Sequence, residues 1–126
     1  KKLNHQADYK NGVLEGTTTW WYENGQKKEE GKMLNGLAEG EWHEWYETGE
    51  KKINTLFENN ELNGSYTEFY RNGIIRKKGN HKNGYAEGIW EEFRLDGTLS
   101  ARVNFINNRP TARICFDNQE KPTECN

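Results

Sequence analysis

The chain repeats itself every 24 residues, and that period constrains its fold more than anything else in it. Four gapless blocks run 16–39, 40–63, 64–87 and 88–111, after a partial repeat over 1–15 and before a C-terminal cap over 112–126. Each block opens on glycine: Gly16, Gly40, Gly64, Gly88. Two residues on stand Thr18, Trp42, Tyr66 and Trp90; five on stand Trp21, Trp45, Phe69 and Phe93. Then come Tyr22, Tyr46, Tyr70 and Arg94, and later Met33, Phe57, His81 and Phe105. Self-similarity at such a period marks a stack of identical small units.

Each unit carries two turn signals. The first is Asn24-Gly25, Thr48-Gly49, Asn72-Gly73 and Asp96-Gly97. Asn-Gly suits a two-residue type I′ hairpin loop, so the spacing predicts a tight turn here. The second, Asn35-Gly36 and its equivalents, is read as a wider turn. Between turns lie short segments with period-two features, and helical periodicity is not evident. The expectation is an all-β, elongated, single-layer antiparallel meander of about four 24-residue β-hairpin repeats with short terminal caps.

A two-residue first loop fixes the register. Thr18 would face Gly31, Trp42 Thr55, Tyr66 Gly79 and Trp90 Val103. A ring opposite a strand glycine restores packing. On the other face Trp21 would meet Lys28, Trp45 Lys52 and Phe69 Arg76, with Glu68–Lys77 and Glu91–Arg102 as cross-strand ion pairs.

Composition fits a sheet without a thick core. There are eight Leu, six Ile and two Val, against five Trp, six Tyr and five Phe. That is too aliphatic-poor for a helix bundle or doubly wound enzyme. It is too aromatic, at a net charge of −2, for a disordered chain. The near-zero charge also lacks the footprint of a nucleic-acid binder.

The columns G-x-W-x-x-W-Y-x-N-G and F-x-N-G-x-x-x-G resemble MORN repeats of the bacterial variant type, from Tyr9 to about Arg109. Block four departs with Arg94 for Tyr, and Asn60 and Asn108 replace the second-turn Gly. The resemblance implies an elongated sheet used as a non-catalytic binding platform. It implies protein–protein contact, membrane or phospholipid association, or a bacterial antitoxin- or immunity-like role.

The residues themselves offer little chemistry. Ser65 and Ser100 lack a nucleophile-elbow context. His81 stands in a column of Met and Phe, which predicts a packed imidazole. Glu41 and His43 share a strand face, but a metal site needs three or four convergent ligands, so no metal or other cofactor is expected. Glu41, Glu44, Glu47 and Glu50 read as solvated charge, and no catalytic residue is assigned.

Candidate partner-binding residues are the ring rows Trp21, Trp45, Phe69, Phe93 and Trp42, Tyr66, Trp90, because interfaces favour Trp and Tyr. Block two carries six carboxylates against two basic residues, and block three the reverse sense, five basic against two acidic. Arg76 and Lys78 in block three could meet a protein partner or anionic lipid. The protein reading takes a toxin, effector or complex subunit as partner; an edge-to-edge dimer is open. Cys115 and Cys125 would form a disulfide in an oxidising compartment and stay free in the cytosol. The chain begins Lys1-Lys2 without Met, which leaves the compartment open: cytoplasmic, or periplasmic or secreted after signal removal.

Overall fold

The structure, a computed structural model, describes residues 4–125. Lys1, Lys2, Leu3 and Asn126, the outermost residues of the expected caps, lie outside that range. The strands are β1 (His5–Lys10), β2 (Val13–Trp21), β3 (Lys27–Leu34), β4 (Leu37–Trp45), β5 (Lys51–Glu58) and β6 (Glu61–Phe69). Then follow β7 (Ile75–Lys82), β8 (Tyr85–Phe93), β9 (Leu99–Ile106), β10 (Arg109–Phe116) and β11 (Pro122–Thr123). All eleven lie in one open sheet in sequence order. The fold is the expected all-β antiparallel meander.

The two turns are exchanged relative to the sequence reading. At Asn35 and Gly36 both residues have left-handed φ, 53° and 80°, and Leu34 pairs with Leu37. That is the two-residue type I′ loop, and it recurs at 11–12, 59–60, 83–84 and 107–108. Asn60 and Asn108 take the glycine's place at φ 72° and 71°, which Asn tolerates. At the other end only Gly25 is left-handed, at φ 90°. Gly25 N–H donates to the Tyr22 carbonyl at 3.0 Å, and Tyr22 N–H to the Gln26 carbonyl at 2.8 Å. This is a type I turn closed by a glycine bulge. Asn24 Oδ1 accepts from Gln26 N–H at 2.9 Å, an Asx-type bond that holds the turn in this form. Thr48 in the same column pointed this way, since a β-branched residue resists the left-handed region that type I′ demands.

The turn correction moves one row of contacts. Trp21 pairs with Lys27, Trp45 with Lys51 and Phe69 with Ile75, not with Lys28, Lys52 and Arg76. Those three are the extra residues of a second bulge that restores the register. Their charged heads lie over the rings of Tyr22, Tyr46 and Tyr70 at 5.7, 5.8 and 5.7 Å. Beyond that bulge the expected register holds: Thr18–Gly31, Trp42–Thr55, Tyr66–Gly79, Trp90–Val103, Glu68–Lys77 and Glu91–Arg102. Of the two expected ion pairs Glu91–Arg102 forms, at 3.1 Å, whereas Glu68 takes Arg76 at 3.6 Å instead of Lys77.

The block-opening glycines sit in a further bulge between hairpins. Glu39 pairs with Lys32 and Trp42 with Gly31, leaving Gly40 (φ 79°) and Glu41 unpaired on that side. The last hairpin has no such glycine, and its bulge holds Thr111 alone. That one missing residue is why the sequence loses phase after Thr111. The backbone does not: Glu120, at φ 60°, donates its N–H to Asp117 as Gly25 does to Tyr22. The expected cap is thus a shortened fifth hairpin, and Cys115 and Cys125 close it as a disulfide with Cα atoms 5.3 Å apart.

Neighbouring repeats are tied by side chains as well as by the ladder. The hydroxyls of Tyr22, Tyr46 and Tyr70 donate to the carbonyls of Trp45, Phe69 and Phe93 at 2.7, 2.5 and 2.6 Å. In the next position Arg94 does the same work, its guanidinium donating to the carbonyls of Phe116 and Asp117. Glu15, Glu39 and Glu87 accept from the turn amides of Asn35, Asn59 and Asn107. What is buried is thin: Trp90, Leu99, Ala101, Val103 and Phe116 in the C-terminal half, with Ala38 and Ala86.

Candidate functional site

Period-two alternation and the bulges sort the candidate residues onto two faces. One, the ring face, carries Trp42, Tyr66 and Trp90 with Phe57, His81 and Phe105. Trp42 meets Phe57 edge-on with centroids 5.6 Å apart, and Trp90 meets Tyr66, His81 and Phe105 at 5.5, 5.0 and 5.9 Å. Trp90 is only 4% exposed, so its ring packs the sheet; Trp42 and Tyr66 are half-buried.

The rings find room where the sequence places glycine, but from the other neighbour. Tyr66 is the hairpin partner of Gly79, yet the ring lying on Gly79 is that of Trp90, and Trp42 likewise lies on Gly31. A methyl at either glycine would overlap the indole. Both indoles also donate to the sheet, Trp42 Nε1 to the Lys32 carbonyl and Trp90 Nε1 to the Asn80 carbonyl, each at 3.1 Å.

Between Trp42 and Tyr66 the pattern breaks. There the middle strand carries Thr55, which pairs with Trp42 on one side and Tyr66 on the other. A cleft of about 220 Å³ opens between the rings, lined also by Ile53, Phe57 and Leu62 and rimmed by Glu29 and Glu44. These two carboxylates are direct cross-strand partners, and among the described residues neither joins an ion pair. Burial, then the charge of Glu44, raises the Glu29 carboxyl above its ordinary value, against a smaller opposing pull from Lys28. Burial, then Glu68, also pushes the Tyr66 phenol well up; its hydroxyl donates to Glu68 Oε1 at 3.0 Å. Sequence reading gave Glu29 and Ile53 no role and took Thr55 only as the partner of Trp42. The signal for the first two was the register itself, which sets them across the sheet from Trp20 and Glu44.

Trp21, Trp45, Phe69 and Phe93 lie on the opposite face, all half-buried. Among the described residues no ring pair joins members of this row. Basic heads come between them instead: Lys27 over Trp45 and Lys78 over Phe93, each at 5.8 Å. Arg76 and Lys78 are both exposed but separated. Arg76 reaches Glu68 at 3.6 Å, whereas Lys78 reaches Glu91 at 3.9 Å on the opposite face. Glu41 lies 3.6 Å from His43, whose Nδ1 is 2.7 Å from Asn54 Oδ1. Among the described residues no three His, Cys, Asp or Glu side chains gather as a metal site.

The MORN repeat variant family matches the chain at residues 14–35 and 62–83. The chain carries MORN variant repeats. Such repeats are generally non-catalytic modules that bind protein or lipid. The two matched MORN segments are the β2–β3 and β6–β7 hairpins, which carry Gly31 and Gly79 under the indoles. The hairpins that alternate with them, β4–β5 and β8–β9, keep the backbone but carry Thr55 and Val103 at that position. No curated protein matches the chain significantly.

Proposed function

We propose that this MORN chain is a protein-docking module that engages its partner through the ring face around Trp42 and Tyr66. The observation that carries this is where the charges go. Three of the five basic side chains of the third repeat are neutralised in place: Arg71 by Glu47 at 2.8 Å, Arg76 by Glu68 at 3.6 Å and Lys78 by Glu91 at 3.9 Å, while Lys82, at the strand end, stands alone among the described residues. Lys77 stands between Glu68 and Glu92. A surface for anionic lipid wants several uncompensated basic groups on one face. Around the Trp42–Tyr66 cleft the unpaired charge is instead acidic, Glu29 and Glu44 beside aromatic rings, a combination that favours a protein partner with complementary basic groups.

The narrower role is blocking a toxin or effector; the broader one is holding a complex subunit. The test is capture from native lysate with the wild type, Glu44→Lys on the ring face, and Trp45→Ala and Phe69→Ala on the opposite face. Thermal melts establish that each variant is folded. A stoichiometric partner lost with Glu44→Lys and kept with the other two supports the reading. Inhibition of that partner's nuclease, deaminase or peptidoglycan-cutting activity by the purified chain supports the blocking role. Salt-sensitive pelleting with phosphatidylserine vesicles, lost in Arg76→Glu/Lys78→Glu, with no protein captured, overturns it in favour of lipid.

A further inference from the structure

The cleft between Trp42 and Tyr66 has a composition that selects its occupant. Its walls are an indole and a phenol, with Phe57 and Leu62 beside them. Its floor is Ile53 and Thr55, and its rim is the Glu29–Glu44 pair. Thr55 is 9% exposed, and its Oγ1 has no hydrogen-bond partner among the described residues. A buried hydroxyl without a partner costs free energy, so an orphan of this kind calls for a complementary group. Two facing carboxylates without a cation pose the same demand, because like charges directly across a sheet repel. The strand glycines of the flanking repeats leave no such space, since Trp42 lies on Gly31 and Trp90 on Gly79, and the cleft of the next repeat is lined by Lys77 where this one has Ile53.

We infer that this cleft receives the ammonium head of a lysine side chain presented by a protein partner. An ammonium has three donors and no acceptor. Two can go to Glu29 and Glu44 and the third to Thr55 Oγ1. The ring faces of Trp42 and Tyr66 attract a cation through their quadrupoles. The alkyl stem then lies against Ile53, Leu62 and Phe57, as lysine stems do on apolar surface. Lys28, whose charge acts on Glu29, has its head over Tyr22 at 5.7 Å and does not line the cleft. Lys77 lies on the far side of Tyr66, over Trp90 at 5.9 Å.

This rests on the protein-docking reading for its biological source, but it is tested without the partner. The probe is Nα-acetyl-lysine methylamide, titrated into the folded chain while the Trp42 indole N–H is followed by NMR. Its neutral counterpart, acetylated also on the side-chain nitrogen, is the control. The expected result is a saturable Trp42 shift with the charged probe and none with the neutral one. Glu29→Gln/Glu44→Gln should weaken binding at least tenfold, and Thr55→Val should weaken it less while keeping the fold. No saturable Trp42 shift, equal shifts from both probes, or full binding by the double variant would overturn the inference. If the probe binds and no protein is ever captured, the cleft stands and the docking reading falls; capture by Glu29→Gln/Glu44→Gln at wild-type strength separates them the other way.

Discussion

His81 occupies a column that holds Met33, Phe57 and Phe105 elsewhere, and its surroundings treat it as an apolar ring. Tyr66 and Trp90 meet it edge-on at 5.3 and 5.0 Å, and its Nδ1 is buried without a partner among the described residues. Burial, and next the positive charge of Lys77, hold its pKa below the ordinary 6.5. The sign follows from linkage. The unfolded imidazole takes up a proton near pH 6.5, while the folded one resists until lower pH. This residue's contribution is therefore intact above pH 6.5 and is lost as pH falls through that value towards the lowered folded pKa. His81→Phe should remove that loss. Urea melts between about pH 7 and 5 should show the wild type losing stability relative to the variant; parallel curves would refute the buried neutral imidazole. The residue column predicted a packed ring. The charge that faces it was legible too: Lys77 is four residues before His81 on the same strand, and the expected pairing with Glu68 already put it on that face.

At the scale of the hairpin, most of the structure is in the columns. The four Asn of the second turn, the ring row and the strand glycines each mark a position that recurs in space. The misread feature was which turn is tight, and the cause is local. Asn-Gly serves both a type I′ loop and a type I turn with a glycine bulge. Choosing between them depends on the φ of the Asn alone, and Asn24 spends its side chain on the Gln26 amide. A single such choice moved Lys28, Lys52 and Arg76 from beside the Trp21 row to above the tyrosines. The tyrosine column has a second task, bonding forward to the next repeat. Tyr70→Phe removes the donor to the Phe93 carbonyl and should cost about 0.5–1.5 kcal/mol in chemical denaturation. An unchanged midpoint would mean water replaces that bond without loss.

Across the whole molecule, each hairpin touches only its neighbours, so stability is a sum of unit and nearest-neighbour terms. Damage at one end should stay there. The Cys115–Cys125 bridge closes a short loop at the C-terminal end, worth on the order of 2–3 kcal/mol in the chain-entropy account. Reduction should lower hydrogen-exchange protection in β10 and β11 and leave β4 to β7 unchanged. A uniform loss across all strands would show that the sheet unfolds as one cooperative unit instead.

The sequence by itself determined the repeat, its strand-turn alternation, the ring rows and most cross-strand partners, because side-chain period and pairing sums are properties of one chain read linearly. It also predicted the single layer, since so few aliphatic residues cannot fill a second one. Only the tertiary structure decided how neighbouring repeats meet. The Trp42 ring settles on Gly31 of the previous repeat, and Trp90 on Gly79, through contacts between units that no single unit encodes. The cleft at Thr55 follows from that alternation: where the preceding strand offers a threonine instead of a glycine, the next ring cannot lie flat on it, and the space stays open.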